Sequence, residues 1–187
     1  MKLSFQERLC GYVGAGPDDA SGFAEGRRSG GGFSFRATAT IDDLDAFEAD
    51  PRHPVRLEGE AEYAPAGAGR LLEGAELQLL VPRPGGRALR YRLPFEAGGR
   101  RLELRGEKRI GARPGYRAFT TLYAELLEDG EPIARGRLHV PPGEALRFAF
   151  GMRGAGGPLS GIAPGLRLLR FVWRETAPLA LGRRGAS

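Results

Sequence analysis

Residues 89–105, LRYRLPFEAGGRRLELR, are two runs of strict alternation joined by a glycine pair. Leu89, Tyr91, Leu93 and Phe95 are separated by Arg90, Arg92 and Pro94, and Leu102 and Leu104 lie between Arg101, Glu103 and Arg105. Successive side chains of a strand point to opposite faces, so each run has one apolar and one charged face. Gly98-Gly99 supplies the backbone freedom that a tight reversal needs. The stretch reads as an antiparallel hairpin.

The same period extends in both directions. Phe33, Phe35, Ala37, Ala39 and Ile41 alternate with polar residues, as do Val55, Leu57, Gly59, Ala61 and Tyr63. Ala75, Leu77, Leu79 and Val81 follow the pattern, and so do Ala134, Gly136, Leu138 and Val140, then Leu146, Phe148 and Phe150. With LSFQERLCGYV at the start and YRAFTTLYAELL, about nine strands are predicted. Short turns such as PAGAGR, PRPGGR, ARPG, LEDGEP and VPPGE separate them, with Gly and Pro in their usual turn roles. An all-β, antiparallel meander of this kind closes most economically into a lipocalin-like β-barrel of about 8–10 strands, which leaves no open edge. A two-sheet β-sandwich is the alternative pattern.

Two stretches break the alternation. Residues 166–177, within PGLRLLRFVWRETAPLAL, predict an amphipathic helical segment of about three turns ended by Pro178. The Gly-rich residues 151–165 before it read as a connector. Residues 14–32, GAGPDDASGFAEGRRSGGG, read as a long mobile loop. The whole of 1–187 is expected to form one domain.

The densest group of carboxylates is IDDLDAFEADPRHP, residues 41–54. Asp42 follows a strand and precedes Asp45 by three residues, the spacing of a helix N-cap and its partner. Leu44 and Phe47 would face inward from a short helix within 42–50, and Pro51 would stop it. The stretch lacks the glycine of a calcium loop, and His139 is the only other histidine that could join His53 at a zinc ion. It is read as the punctuation between two strands, with no metal site.

Composition narrows the function classes. No apolar run approaches the ~20 residues of a membrane-spanning helix, and MKLSFQERLC lacks the apolar core of a secretory leader. Cys10 is the sole cysteine, so neither an internal disulfide nor a cysteine zinc cluster is available. Cys10 is expected to be a small buried side chain, and the location cytoplasmic. The formal charge is +5, yet Lys2 and Lys108 are the only lysines and the arginines are scattered beside glutamates. That pattern does not predict a nucleic-acid track, which would cluster cations and interleave stacking aromatics.

No nucleophile elbow, dinucleotide fingerprint or phosphate loop occurs, so no catalytic residue and no cofactor are assigned. Glu107 and Lys108 are read as a solvated ion pair, with a buried acid–base pair as the functional alternative. The aromatic residues carry the stronger expectation. Tyr91 and Phe95 share one strand face, Phe119 and Tyr123 a second, Phe148 and Phe150 a third. If the barrel is hollow, Tyr91, Phe95, Phe119, Tyr123, Phe148 and Trp173 would line or cover an apolar cavity, with tyrosine hydroxyls as polar handles.

Taken together, FQERLCGYV, ATIDDLDAFEADPRHPVRLEGEAEY, LRYRLPFEAGGRRLELRGEKRI, FTTLYAEL and LLRFVW resemble a β-rich domain of actinobacteria and related bacteria. That domain accompanies glucose–methanol–choline oxidoreductases of the cholesterol-oxidase kind, and also esterase-like proteins. Tyr116, Ala118 and Phe119 stand where that domain carries Trp, Asp and Thr before the Thr-Thr-Leu-Tyr run. The resemblance implies a non-catalytic partner of an oxidoreductase or esterase, with a sterol or other lipid as the apolar small molecule. A cofactor-free isomerase-like enzyme and a purely structural docking module are the other readings.

Overall fold

The hairpin of residues 89–105 forms as expected in a computed structural model, which describes residues 1–111, 115–142, 153–154 and 162–181. It is the pair β6 (Gly86–Ala97) and β7 (Arg100–Gly111), with Leu93 opposite Leu104 and Phe95 opposite Leu102. The other strands are β1 (Leu3–Gly14), β2 (Gly32–Ile41), β3 (Pro54–Tyr63), β4 (Gly67–Arg70), β5 (Glu76–Arg83), β8 (Thr121–Glu128), β9 (Glu131–His139) and the two-residue β10 (Arg153–Gly154). Among the described residues four helices accompany them: α1 (Asp19–Ser29), α2 (Leu44–Ala49), α3 (Tyr116–Thr120) and α4 (Ile162–Leu181).

The wall runs β1-β2-β3-β5-β6-β7-β8-β9, every pairing antiparallel, and β9 pairs back with β1. Cys10 opposes His139 and Gly14 opposes Arg135 across that seam. The protein is therefore a closed eight-stranded barrel and not a sandwich. At the fourth wall position β4 and β5 act in tandem, pairing with the far and near parts of β3. The seam explains two glycines in the inward phase. A Cβ on Gly11 would lie 2.0 Å from the Arg137 carbonyl oxygen, and one on Gly136 would lie 2.0 Å from that of Tyr12. Only a residue without Cβ lets β1 and β9 coil this closely.

The inward phases supply a continuous core. Leu3, Phe5, Leu9 and Val13 of β1 meet Phe33, Phe35, Ala37 and Ile41 of β2 and Leu93, Phe95, Leu102 and Leu104 of the hairpin. Three helices cover one end. α2 links β2 to β3, α3 links β7 to β8, and α4 lies across the mouth with Leu168 and Phe171 buried.

Four local expectations are corrected. Residues 14–32 are not a loop: β1 runs to Gly14, α1 occupies Asp19–Ser29, and β2 begins at Gly32. Asp18 caps α1 by accepting from the Ala20 and Ser21 amides, and Gly30 closes it at φ +80°. The glycines that suggest a loop are a docking face, because a Cβ on Gly22 or Gly26 would collide with the Arg135 or Val13 carbonyl oxygen at 2.2 or 2.3 Å. Second, the cap of α2 is Asp43, which accepts from the Asp45 amide. Asp42 instead faces Lys2 at 3.3 Å and Arg56 at 3.5 Å. Third, α4 begins at Ile162 and continues through Pro178 to Leu181. The end of the connector thus belongs to the helix; Pro164 falls in its first turn, where proline costs no hydrogen bond. Fourth, the first part of YRAFTTLYAELL is the helix α3 and not strand.

Candidate functional site

The barrel is filled at one end and hollow at the other. Beneath the helices lies a cavity of about 310 Å³. Phe5 of β1, Leu77 and Leu79 of β5 and Leu89 of β6 form its apolar wall, Phe119 of α3 one lip, and Leu168 and Val172 of α4 the cover. β5 reaches this position through an irregularity. Its register against β6 shifts between Gln78 and Val81, and Leu80 there adopts φ +54°. The extra residue lets Leu77, Leu79, Leu80 and Val81 all be buried on one short strand.

Gln6, Arg8, Tyr116 and Thr120 also border the cavity, and three polar side chains from inward strand positions interrupt the apolar wall. Glu7, Tyr91 and Lys108 occupy inward positions of β1, β6 and β7 and line the cavity. The Tyr91 hydroxyl donates to Glu7 Oε1 at 2.7 Å, and Lys108 Nζ donates to the same oxygen at 2.6 Å. Lys108 Nζ also lies 5.0 Å from the centre of the Tyr91 ring. The side chains of Lys108 and Glu7 are only 4% and 11% exposed. Burial, then the negative charge of Glu7 and its hydrogen bond, hold the Tyr91 phenol well above its ordinary value of 10.0. Glu7 Oε2 is buried and has no hydrogen-bond partner among the described residues.

The aromatic residues singled out from the sequence divide sharply. Tyr91 and Phe119 are on the cavity wall. Phe95 is fully buried but packs edge-to-face on Phe33, 5.8 Å between centres, within the filled end. Tyr123 does not share a face with Phe119, since one is on β8 and the other on α3. Tyr123 points outward, where the Arg109 and Arg137 guanidinium groups sit 4.2 and 5.7 Å from its ring centre. Trp173 is 74% exposed and does not shield the cavity; Phe171, two residues earlier, is the buried ring. Phe148 lies outside the described residues.

The pairing of Glu107 with Lys108 is also corrected. Neighbours on a strand face opposite ways, so Glu107 is outside, beside Arg109 at 2.8 Å, while Lys108 turns inward to Glu7. Cys10 is free, partly exposed and in the outward phase of β1. Glu7 is the residue the sequence reading missed. A signal for it exists, because Leu3, Phe5, Glu7, Leu9 and Val13 form a single phase in which Glu7 is the sole charge.

The acidic stretch has a structural role. His53, buried at φ +45°, donates from Nδ1 to the Phe47 carbonyl at 2.9 Å and stacks between Phe47 and Phe171. Arg167 of α4 reaches Asp45 at 2.7 Å and Glu48 at 2.8 Å, and Arg87 meets Glu175 at 2.5 Å. These contacts fasten α4 over the mouth. Among the described residues no three His, Cys, Asp or Glu side chains gather at one point, and no helix is long and apolar enough to cross a membrane.

Fold and site define a class: a closed antiparallel barrel with a helix-covered apolar cavity that carries one buried ion pair. Compared with known proteins, the chain matches no family model, no curated protein and no solved structure.

Proposed function

We propose that this barrel binds one apolar small molecule, a sterol or another lipid, under the helices at its hollow end. The cavity of about 310 Å³ carries the reading. Small-molecule sites span roughly 300–1,000 Å³ and are mostly apolar with a few convergent polar groups, and the wall of leucine and phenylalanine around Glu7, Tyr91 and Lys108 has that make-up. The size favours a ligand enclosed at its polar end, with the rest emerging beside Phe119. Burying ~300 Å² of apolar ligand surface at ~25 cal/mol/Å² gives roughly 7 kcal/mol before association costs, enough for micromolar binding. The resemblance described above supports a non-catalytic accessory role beside a sterol- or lipid-oxidising enzyme or an esterase.

The test is calorimetric titration with sterols, fatty alcohols and fatty acids, repeated on Leu89→Trp. Wild-type protein is expected to bind at least one of them with micromolar affinity. The variant, whose indole fills the cavity, is expected to lose that binding while remaining folded. No binding tighter than about 100 µM, near −5.5 kcal/mol, would leave the structural docking module as the better account.

A further inference from the structure

Trp173 lies on an exposed face of α4. Leu166, Leu169 and Trp173 are spaced i, i+3 and i+7, which puts them on one stripe of the helix, and each is more than half exposed. The inner stripe serves the barrel, with Leu168 and Phe171 buried and Val172 on the cavity wall. α4 is therefore apolar on two sides. The short helix α3 extends the outer surface, because Tyr116 and Phe119 are exposed and also border the cavity. Exposed apolar groups gathered at one end of a molecule mark an interaction site.

Charge says what kind of partner fits. From Leu166 to Arg174 the chain has three arginines and no acid. Arg170 and Arg174, four apart, run along one margin of the apolar stripe. The acids next to α4 are already committed, Asp45 and Glu48 to Arg167 and Glu175 to Arg87. Arg174 reaches only Glu175, at 3.5 Å, and the exposed Arg170 and Arg117 have no acidic partner among the described residues.

We propose that the helical end of the barrel docks on an anionic lipid surface. Leu166, Leu169 and Trp173 enter the boundary between head groups and acyl chains, and Arg117, Arg170 and Arg174 meet the lipid phosphates. Leucine and tryptophan on one side with arginines beside them are the make-up of a helix that lies in this boundary, and Trp and Tyr are favoured at that depth. A second copy of this chain would bring the same cations to the same patch, whereas an anionic bilayer supplies the opposite charge. The docking stands on the outer faces of α3 and α4. Its use, which is to set the cavity mouth on the source of an insoluble ligand, rests on the apolar-ligand reading.

The experiment uses lipid vesicles, with Trp173, the sole tryptophan, as reporter. The full chain is titrated with phosphatidylcholine vesicles containing about one-third phosphatidylglycerol, and with phosphatidylcholine alone. Anionic vesicles are expected to shift Trp173 emission to the blue, and lipid brominated near its head group to quench it. Binding is expected to weaken about fivefold for each arginine removed in Arg117→Gln/Arg170→Gln, and to fall in ~0.5 M salt. Leu166→Glu/Leu169→Glu, both changes at exposed positions, is expected to weaken it at least about tenfold. No binding to anionic vesicles, or binding that leaves Trp173 emission unchanged, overturns the proposal. Equal binding by the leucine variant, or equal affinity for phosphatidylcholine alone, overturns it too. Sedimentation that finds a dimer with blue-shifted Trp173 emission in the absence of lipid overturns it and gives the face to a second copy. Failure here with sterol or fatty-alcohol binding intact leaves the cavity reading standing, and vesicle binding without any cavity ligand does the reverse.

Discussion

The two ends of the barrel are built from one alternating pattern and differ in what the inward phase contains. At the end closed by the hairpin turns, Phe33 stacks on Phe95 at 5.8 Å and lies 6.4 Å from Tyr63, with Leu93, Leu102 and Leu104 packed around them. At the helical end the inward positions Phe5, Glu7, Leu77, Leu89, Tyr91 and Lys108 surround the cavity, and no side chain of the described residues fills the space between them. Phe35, 6.1 Å from the Tyr91 ring, marks the boundary. Aromatic side chains reach across a barrel of this width and fill it. At the hollow end Tyr91 is held to Glu7, and Phe5, Leu77 and Leu89 stay on the wall, so the middle stays open. One sheet thus has a packed end and a hollow end, the latter proposed above to hold the ligand, and substitutions at each end test the difference.

The largest effect belongs to the filled end. Phe95→Ala is expected to cost about 3–5 kcal/mol in denaturant unfolding, the usual result of emptying an aromatic core site, while the folded variant keeps its affinity for apolar ligands. A sizeable loss of affinity at unchanged fold would show that the two ends are one site. Next comes the ion pair. Lys108→Met alone is expected to destabilise by about 3 kcal/mol, because it strands the Glu7 carboxylate, and adding Glu7→Gln is expected to recover most of that loss. Equal stabilities for the single and double variants would mean that the pair is solvated and the cavity open to water.

The smallest effect is a pH dependence at Tyr91. Its phenol is held well above 10.0 in the folded protein, so the unfolded chain gives up the proton first as pH rises. Stability tied to this group is therefore complete below pH 10 and is lost as pH climbs above it. Unfolding free energies measured between about pH 8 and 11.5 should fall less steeply for Tyr91→Phe than for wild type. Parallel curves would remove Tyr91 from the buried network.

Some of this was legible residue by residue. The alternation at Leu89–Phe95 and Leu102–Leu104 predicts the hairpin because strand side chains face opposite ways, and the same rule places Tyr91 inward. Applied to Leu3–Val13 and to Leu102–Ile110, it also marks Glu7 and Lys108 as charges in an apolar phase, although their meeting depends on strands 101 positions apart. The helix α1 was hidden for a different reason. Gly22 and Gly26 weaken a helix on its own, and they are favourable only once β1 and β9 are close enough to need a face without Cβ. Phe119 was misjudged because a five-residue helix and the start of a strand look alike in so short a segment.

From its alternation the chain gave the faces of most strands, most of the turns and about nine strands, with a barrel of about 8–10 strands or a two-sheet sandwich both compatible with the pattern. Those are local matters, set by pleat geometry and by the backbone freedom of Gly and Pro. Tertiary structure alone decided that the closure joins β1 to β9, that Asp43 rather than Asp42 caps α2, and that Glu7 finds both Tyr91 and Lys108. It also decided that one end is full and the other hollow. Periodicity reports the direction of a side chain, whereas a cavity depends on how far side chains from opposite walls reach toward one another, and that distance exists only after the barrel has closed.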